Sequence, residues 1–237
     1  MSALALRGFY AILDLKEAPP GDGQEVLARA EALLRAQPCM LQLRAKGVAA
    51  SVVRDAAAHI LPACHAARVP FCVNDRVDIA LAVGADVVHV GQEDLPLDAV
   101  LRLVRSPDGP SLLVGVSTHN LAQARAAATG GADYIGFGPV FTTTSKERPD
   151  PVVGLDQLAE VAAELAPLSV VAIGGITRAN VAQVVAAGAA AAAVIGDVVT
   201  AQDPTAAGLL IGAAFALADA SEGSTPRRTR KRTRSSP

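Results

Sequence analysis

The chain has 237 residues, of which 51% are hydrophobic, 19% charged and 3% aromatic, with no Trp. That is enough apolar material for one large core, since α/β barrels reach ~250 residues as a single domain, and no apolar run approaches the ~20 residues of a membrane span. The formal net charge of −2 hides an asymmetry: residues 221–237 hold six basic side chains and one acidic one, leaving 15 basic and 22 acidic, or −7, in residues 1–220.

Strand-like and helix-like segments alternate along almost the whole chain. Short apolar runs rich in β-branched residues predict buried strands at 9–13, 40–43, 70–73, 87–90, 112–116, 134–137, 170–173 and 192–195. Ala- and Leu-rich stretches with helical spacing lie between them, at 25–36, 50–66, 97–105, 121–128, 155–165 and 180–187, with a last helix at 204–218. Gly84-Ala85-Asp86, Gly131-Ala132-Asp133 and Gly188-Ala189-Ala190 form a weak internal repeat. In each, the glycine suits the left-handed position past a helix end. Repeated βα units give a closed (β/α)8 barrel or an open doubly wound sheet. Leu13-Asp14-Leu15-Lys16 after the first strand holds no glycine-rich dinucleotide loop, which favours the TIM barrel.

The expected organisation is one barrel domain over 1–220 and a disordered basic tail over 221–237, where Ser, Thr, Pro and Arg dominate. Cys39, Cys64 and Cys72 cannot all pair and lack metal-ligand spacing. With no basic segment and long apolar core at the N-terminus, a reduced, cytoplasmic protein is expected. Neither membrane nor nucleic acid is an expected partner; assembly into a homo-oligomer is left open.

Barrel chemistry belongs at the C-terminal ends of the strands. After strand 2, alternation sets Gln42, Arg44 and Lys46 on one face, a basic set that suits a bound anion or a solvated strand end with an ion pair. Asn74 and Asp75 follow strand 3 and Asp94 follows strand 4. Each could cap a helix, but two carboxylates on adjacent loops also suit Mg2+, which takes few carboxylates and completes its shell with water and phosphate oxygens. His89 lies within strand 4, as a core or lining histidine. Ser117 closes strand 5 near His119, with no acid spaced for a triad. After strand 6, Thr142, Thr143, Thr144, Ser145 and Lys146 read as a phosphate cradle or lid. After strand 7, Gly174-Gly175-Ile176-Thr177 opens a helix, with Ile195-Gly196-Asp197 after strand 8 completing a phosphate cup.

Taken together, QLRAK (42–46), NDRVDIALAVGADVVHVGQEDLP (74–96), GVSTH (115–119), GADYIGFGPVF (131–141), TTSK (143–146) and AIGGI (172–176) resemble the thiamine phosphate synthase family over residues 8–210. The resemblance implies a transferase that joins 4-amino-2-methyl-5-hydroxymethylpyrimidine diphosphate to a thiazole phosphate through a dissociative, Mg2+-assisted path. It implies Gln42, Arg44, Lys46, Asn74, Ser117 and Lys146 on the pyrimidine diphosphate, and Asp75 and Asp94 on Mg2+. Thr143, Thr144, Ser145, Gly175, Ile195 and Gly196 would hold the thiazole phosphate. The chain departs from the family at Ala45, at Ser145, at Gly196 and at Ala190, changes read as falling mostly on the thiazole side. The alternatives are a thiazole tautomerase-like isomerase on the same barrel and a non-catalytic thiamine phosphate binder.

Overall fold

The computed structural model describes residues 6–15, 23–105, 111–143 and 150–223. Eight parallel strands, β1 (Gly8–Asp14), β2 (Met40–Arg44), β3 (Phe71–Asn74), β4 (Val87–Val90), β5 (Leu113–Thr118), β6 (Tyr134–Phe137), β7 (Ser169–Ile173) and β8 (Ala191–Val194), close in sequence order into a barrel. The helices are α1 (Gly23–Leu34), α2 (Ala50–Ala67), α3 (Val77–Val83), α4 (Leu97–Val104), α5 (Leu121–Thr129), α6 (Gly154–Leu165), α7 (Val181–Ala186), α8 (Gly196–Val199) and α9 (Pro204–Gly223). All eight predicted strands are present, two with the predicted bounds and the others with ends moved by one or two residues. The short α3 and α8 were not among the predicted helices, because seven and four residues carry too little periodicity.

Strand alternation divides the apolar side chains into two cores. Outward-facing Ala11, Leu41, Val73, Val88, Val116, Ile135 and their neighbours pack beneath the helices. Tyr10, Ile12, Met40, Cys72, Val87, Tyr134, Val171, Ala191 and Ala193 fill the lumen. Two tyrosines in the lumen are balanced by alanines on β8, so large and small residues interdigitate. Cys39, Cys64 and Cys72 are all unpaired thiols.

The repeat has a mechanical meaning. Gly84, Gly131 and Gly188 all adopt positive φ (71°, 93° and 84°), reversing the chain from helix into strand. The Asp86 carboxylate then accepts the Phe71 N–H (2.8 Å) and that of Asp133 the Val114 N–H (2.7 Å), stitching each new strand to the start of its predecessor. Ala190 keeps only the backbone half of this stitch, its N–H donating to Val170 (2.8 Å). It therefore sits at the base of the barrel, opposite the mouth, and the expectation that it bears on the thiazole side is corrected.

α9 lies along β1 with Ala207, Ile211 and Phe215 buried, and the Arg7 guanidinium sits 5.2 Å from the Phe215 ring centroid. It extends to Gly223, past the expected boundary at 220, and residues 224–237 of the basic tail lie outside the described residues. Within α9, Pro204–Ser221 is long and apolar enough to cross a membrane, an exception to the reading that no such run exists. Its apolar character is spent partly on the barrel wall, while Leu209, Leu210 and Leu217 face outward. Phe215→Ala should lower the unfolding free energy by about 3–5 kcal/mol in a denaturant titration, whereas Leu217→Ala, 72% exposed, should change it by less than about 0.5 kcal/mol.

Candidate active site

A cavity of about 530 Å³ opens at the C-terminal mouth of the barrel. Gln42, Arg44, Lys46, Asn74, Asp75, Asp94, Ser117, Thr143, Gly175, Ile195 and Gly196 all line it, so eleven residues predicted from separate loops converge. Thr144, Ser145 and Lys146 lie outside the described residues.

The β2 triple alternates as predicted. Gln42 is buried in the lumen, Arg44 is partly buried and Lys46 is exposed at the rim, while Leu43 faces the helices. Strand register sets Asp14 directly beside Arg44, and the two form an ion pair in which the Asp14 carboxylate is buried. Asp14 is a residue that the sequence reading missed; it was weighed only as part of a loop without glycine. A carboxylate closing β1 at the same level as the β2 arginine was the available signal. Burial pulls the Arg44 guanidinium down, and the nearby Asp75 charge opposes that pull.

Asp75 is one of three non-glycine residues with positive φ among those described (62°). Such backbone is uncommon, tolerated best by Asn and Asp, and concentrated at functional sites. Lys46 Nζ lies 3.3 Å from Asp75 Oδ2. Partial burial and the neighbouring Asp94 carboxylate push the Asp75 carboxyl up to about 6, with Lys46 countering. Asp94 accepts the Gly91 N–H (2.8 Å). Neither carboxylate stands at a helix cap: the cap residues of α3 and α4 are Arg76 and Pro96, and neither makes a side-chain cap hydrogen bond. Asp75 and Asp94 are thus two adjacent acidic groups on one wall of the cavity. Among the described residues, no third His, Cys, Asp or Glu joins them. Two carboxylates with room for water and phosphate oxygens fit Mg2+ better than a metal wanting an all-protein cage.

Below the carboxylates runs a line of hydrogen bonds. Gln42 Nε2 donates to the Tyr10 hydroxyl (2.8 Å), which meets the Tyr134 hydroxyl (2.9 Å). Tyr134 meets His89 Nδ1 (2.9 Å), and His89 Nε2 meets Ser117 Oγ (2.8 Å). His89 is held neutral at pH 7, because burial lowers its imidazole to about 4. The Ser117 partner is therefore His89, and behind it stands a phenol rather than a carboxylate. His119 instead reaches the Gly138 carbonyl and Asp150 (3.4 Å), beside the loop after β6. Tyr10 and Tyr134 are further lining residues that sequence reading missed, since each looks like an ordinary apolar strand residue. Gly115 makes their arrangement fit: it lies between His89 and Tyr134 in register, and a Cβ there would come within 2.1 Å of the Tyr134 ring.

On the opposite wall, a Cβ on Gly175 would meet the Thr142 carbonyl at 2.4 Å, so the glycine lets the β6 loop pack onto the turn after β7. α7 begins at Val181, within one residue of the predicted 180–187, so Gly174-Gly175 forms a turn ahead of the helix and not its opening. Backbone of a loop lines the cavity there.

Comparison with known proteins follows the same outline. A family model described as thiamine monophosphate synthase matches residues 9–198. The chain is 47% identical over 221 residues to a thiamine-phosphate synthase of Anaeromyxobacter dehalogenans, covering 93% of each. It is 47% identical over 176 residues to a thiamine-phosphate synthase of Roseiflexus castenholzii, covering 74% of this chain and 75% of that one. The solved structure of a thiamine phosphate pyrophosphorylase from Pyrococcus furiosus superposes with a TM-score of 0.78 at 28% identity, covering 91% of this chain and 97% of that one.

A carboxyl held at about 6 when folded, against 3.8 for an ordinary Asp, makes the folded state bind the extra proton between those values. The cost of ionising Asp75 is absent near pH 4, grows as pH rises and is complete above pH 6. Asp75→Asn should therefore stabilise the protein by about 1–3 kcal/mol at pH 7 and by almost nothing at pH 4, as read by denaturant titration at both values.

Proposed function

The chain belongs to the thiamine monophosphate synthase family, a family of transferases, and from that membership we propose that it joins 4-amino-2-methyl-5-hydroxymethylpyrimidine diphosphate to a thiazole phosphate, giving thiamine phosphate and diphosphate. The observation that carries this reading is the convergence of Arg44 and Lys46 with Asp75 and Asp94 in one cavity. Cations alone would suit many phosphorylated ligands. Cations beside a carboxylate pair suit a diphosphate bound with a divalent ion.

In this reading Gln42, Asn74 and Ser117 orient the pyrimidine diphosphate, and Asp75 and Asp94 hold Mg2+. That ion, when bound, supplies positive charge that offsets the charge of the leaving diphosphate. Arg44 and Lys46 take up negative charge as the carbon–oxygen bond breaks and its electron pair leaves with the diphosphate. Asp14 is a positioning residue for Arg44. Lys146 adds a further cation from the β6 loop. The aminopyrimidine ring stabilises the methylene cation left behind, and the thiazole nitrogen captures it with its lone pair. Thr143, Thr144 and Ser145 hold the thiazole phosphate with backbone of Gly175, Ile195 and Gly196. No protein nucleophile is needed, in keeping with a Ser117–His89 pair that lacks an acid. Preorganised charge carries the catalysis. The three free thiols fit a reducing cytoplasm.

A tautomerase-like isomerase or a simple binder would have no departing diphosphate to stabilise, and so no use for Arg44, Lys46, Asp75 and Asp94 together. Purified protein with both substrates and Mg2+ should form thiamine phosphate and diphosphate in equal amounts, with neither formed from one substrate alone. Isomerisation of the thiazole phosphate by itself, or binding without turnover, would overturn the reading. Asp75→Ala with Asp94→Ala should slow turnover by at least about 100-fold; an unchanged rate would remove both from the metal site. Truncation after Gly223 should leave the rate within about twofold, because the basic tail lies beyond α9 and outside the proposed chemistry.

A further inference from the structure

The line of hydrogen bonds under the cavity can run in either direction, and one of the two ties its ends together. Gln42 commits its amide N–H groups to the Tyr10 hydroxyl (2.8 Å) and the Cys72 sulfur (3.8 Å). No described partner engages its carbonyl oxygen, and among the described residues no buried side-chain oxygen is left unsatisfied, so that oxygen faces the cavity. In that direction Tyr10 accepts from Gln42 and passes its own O–H to Tyr134. The Tyr134 O–H then passes to His89 Nδ1, and His89 Nε2–H to Ser117 Oγ. A neutral imidazole has one donor and one acceptor nitrogen, so it transmits this order rather than breaking it. The Ser117 O–H is left free to donate into the cavity.

Reversing the line reverses the Ser117 end and releases the Gln42 end. Ser117 would donate to His89, leaving only lone pairs toward the ligand, and the Tyr10 O–H, released from Tyr134, could turn to Gln42 or Cys72, so the Gln42 amide would no longer be held with its oxygen toward the cavity. The two ends of the cavity are thus not independent. A donor at Ser117 goes with an acceptor at Gln42.

Resting on the functional reading above, we propose that the Gln42–Tyr10–Tyr134–His89–Ser117 chain is a specificity device, through which a diphosphate oxygen bound at Ser117 fixes Gln42 as an acceptor for the exocyclic amino group of the pyrimidine and rejects an oxo group there. An anionic oxygen accepts from Ser117 and therefore selects the forward direction. In that direction the Gln42 oxygen pairs with an amino N–H and meets an oxo group with repulsion. Tyr10 and Tyr134 act as positioning residues: neither hydroxyl need touch the ligand for its loss to matter. All five members are buried or partly buried, which limits competition from water.

Binding is the proper readout, because the amino group also assists the chemical step. Calorimetric titration without thiazole phosphate, in the presence of Mg2+, compares the pyrimidine diphosphate with its 4-oxo analogue. The wild-type protein should favour the amino form by roughly 30- to 100-fold. Tyr134→Phe, which keeps the ring and breaks the line, should bring the preference below about fivefold while the amino form still binds. Tyr10→Phe should do the same and provides a second break should the first variant fold poorly. An undiminished preference in a folded variant would overturn the device and leave the functional reading standing. Failure of wild-type protein to bind either compound would overturn that reading and the device with it. Nitrogen NMR of the complex with inorganic diphosphate and Mg2+ should find His89 protonated at Nε2 and bare at Nδ1. The opposite tautomer would contradict the proposed direction.

Discussion

Asp75 and Asp94 are placed side by side at the partly desolvated mouth of a barrel, where two negative charges repel. Much of the site can be understood as an answer to that repulsion. Lys46 leans across from β2 to Asp75, while Arg44, whose charge burial disfavours, is paired with buried Asp14 and drawn upon by Asp75. Opposite charges alternate across the ends of β1, β2 and β3, with Asp94 beyond them. Such an array is nearly neutral by itself yet brings cations and carboxylates to one cavity mouth. A protein body at −7 therefore does not bar phosphorylated ligands, since attraction is decided within a few ångströms of the mouth.

The lumen beneath obeys a different constraint. Buried phenols must be hydrogen-bonded, and in a closed barrel the nearest partners are other strands rather than water. Tyr10 and Tyr134 satisfy one another across the barrel, and Gln42 and His89 extend the line outward on either side. Gly115 is the steric condition for it, since any side chain at that register would part Tyr134 from His89. Packing and recognition are thus joined: the same interdigitation that fills the lumen carries polar groups to the cavity floor.

The strands were legible because parallel barrel strands are buried on both faces and read as short β-branched runs between helical stretches. The repeated Gly-Ala-Asp gave the helix-to-strand turns, and both aspartates prove to be stitches between neighbouring strands. Cavity-lining residues were legible where charge appeared at a strand end against expectation, as with Arg44, Lys46, Asp75 and Asp94. Asp14, Tyr10 and Tyr134 were not. Their significance comes from register across strands distant in sequence, which no local pattern records. The helix predicted at 180–187 is α7, while Gly174-Gly175 ahead of it serves contact with Pro139 and Thr142 rather than helix initiation.

The central claim is that the carboxylate pair and the β2 cations form one diphosphate–cation site. Titration of inorganic diphosphate into the protein, with and without Mg2+, tests it most directly. Tight binding that requires Mg2+, and that loses this requirement together with its affinity in Asp75→Asn, is the predicted result. Equal affinity with and without Mg2+ in the wild-type protein would contradict it.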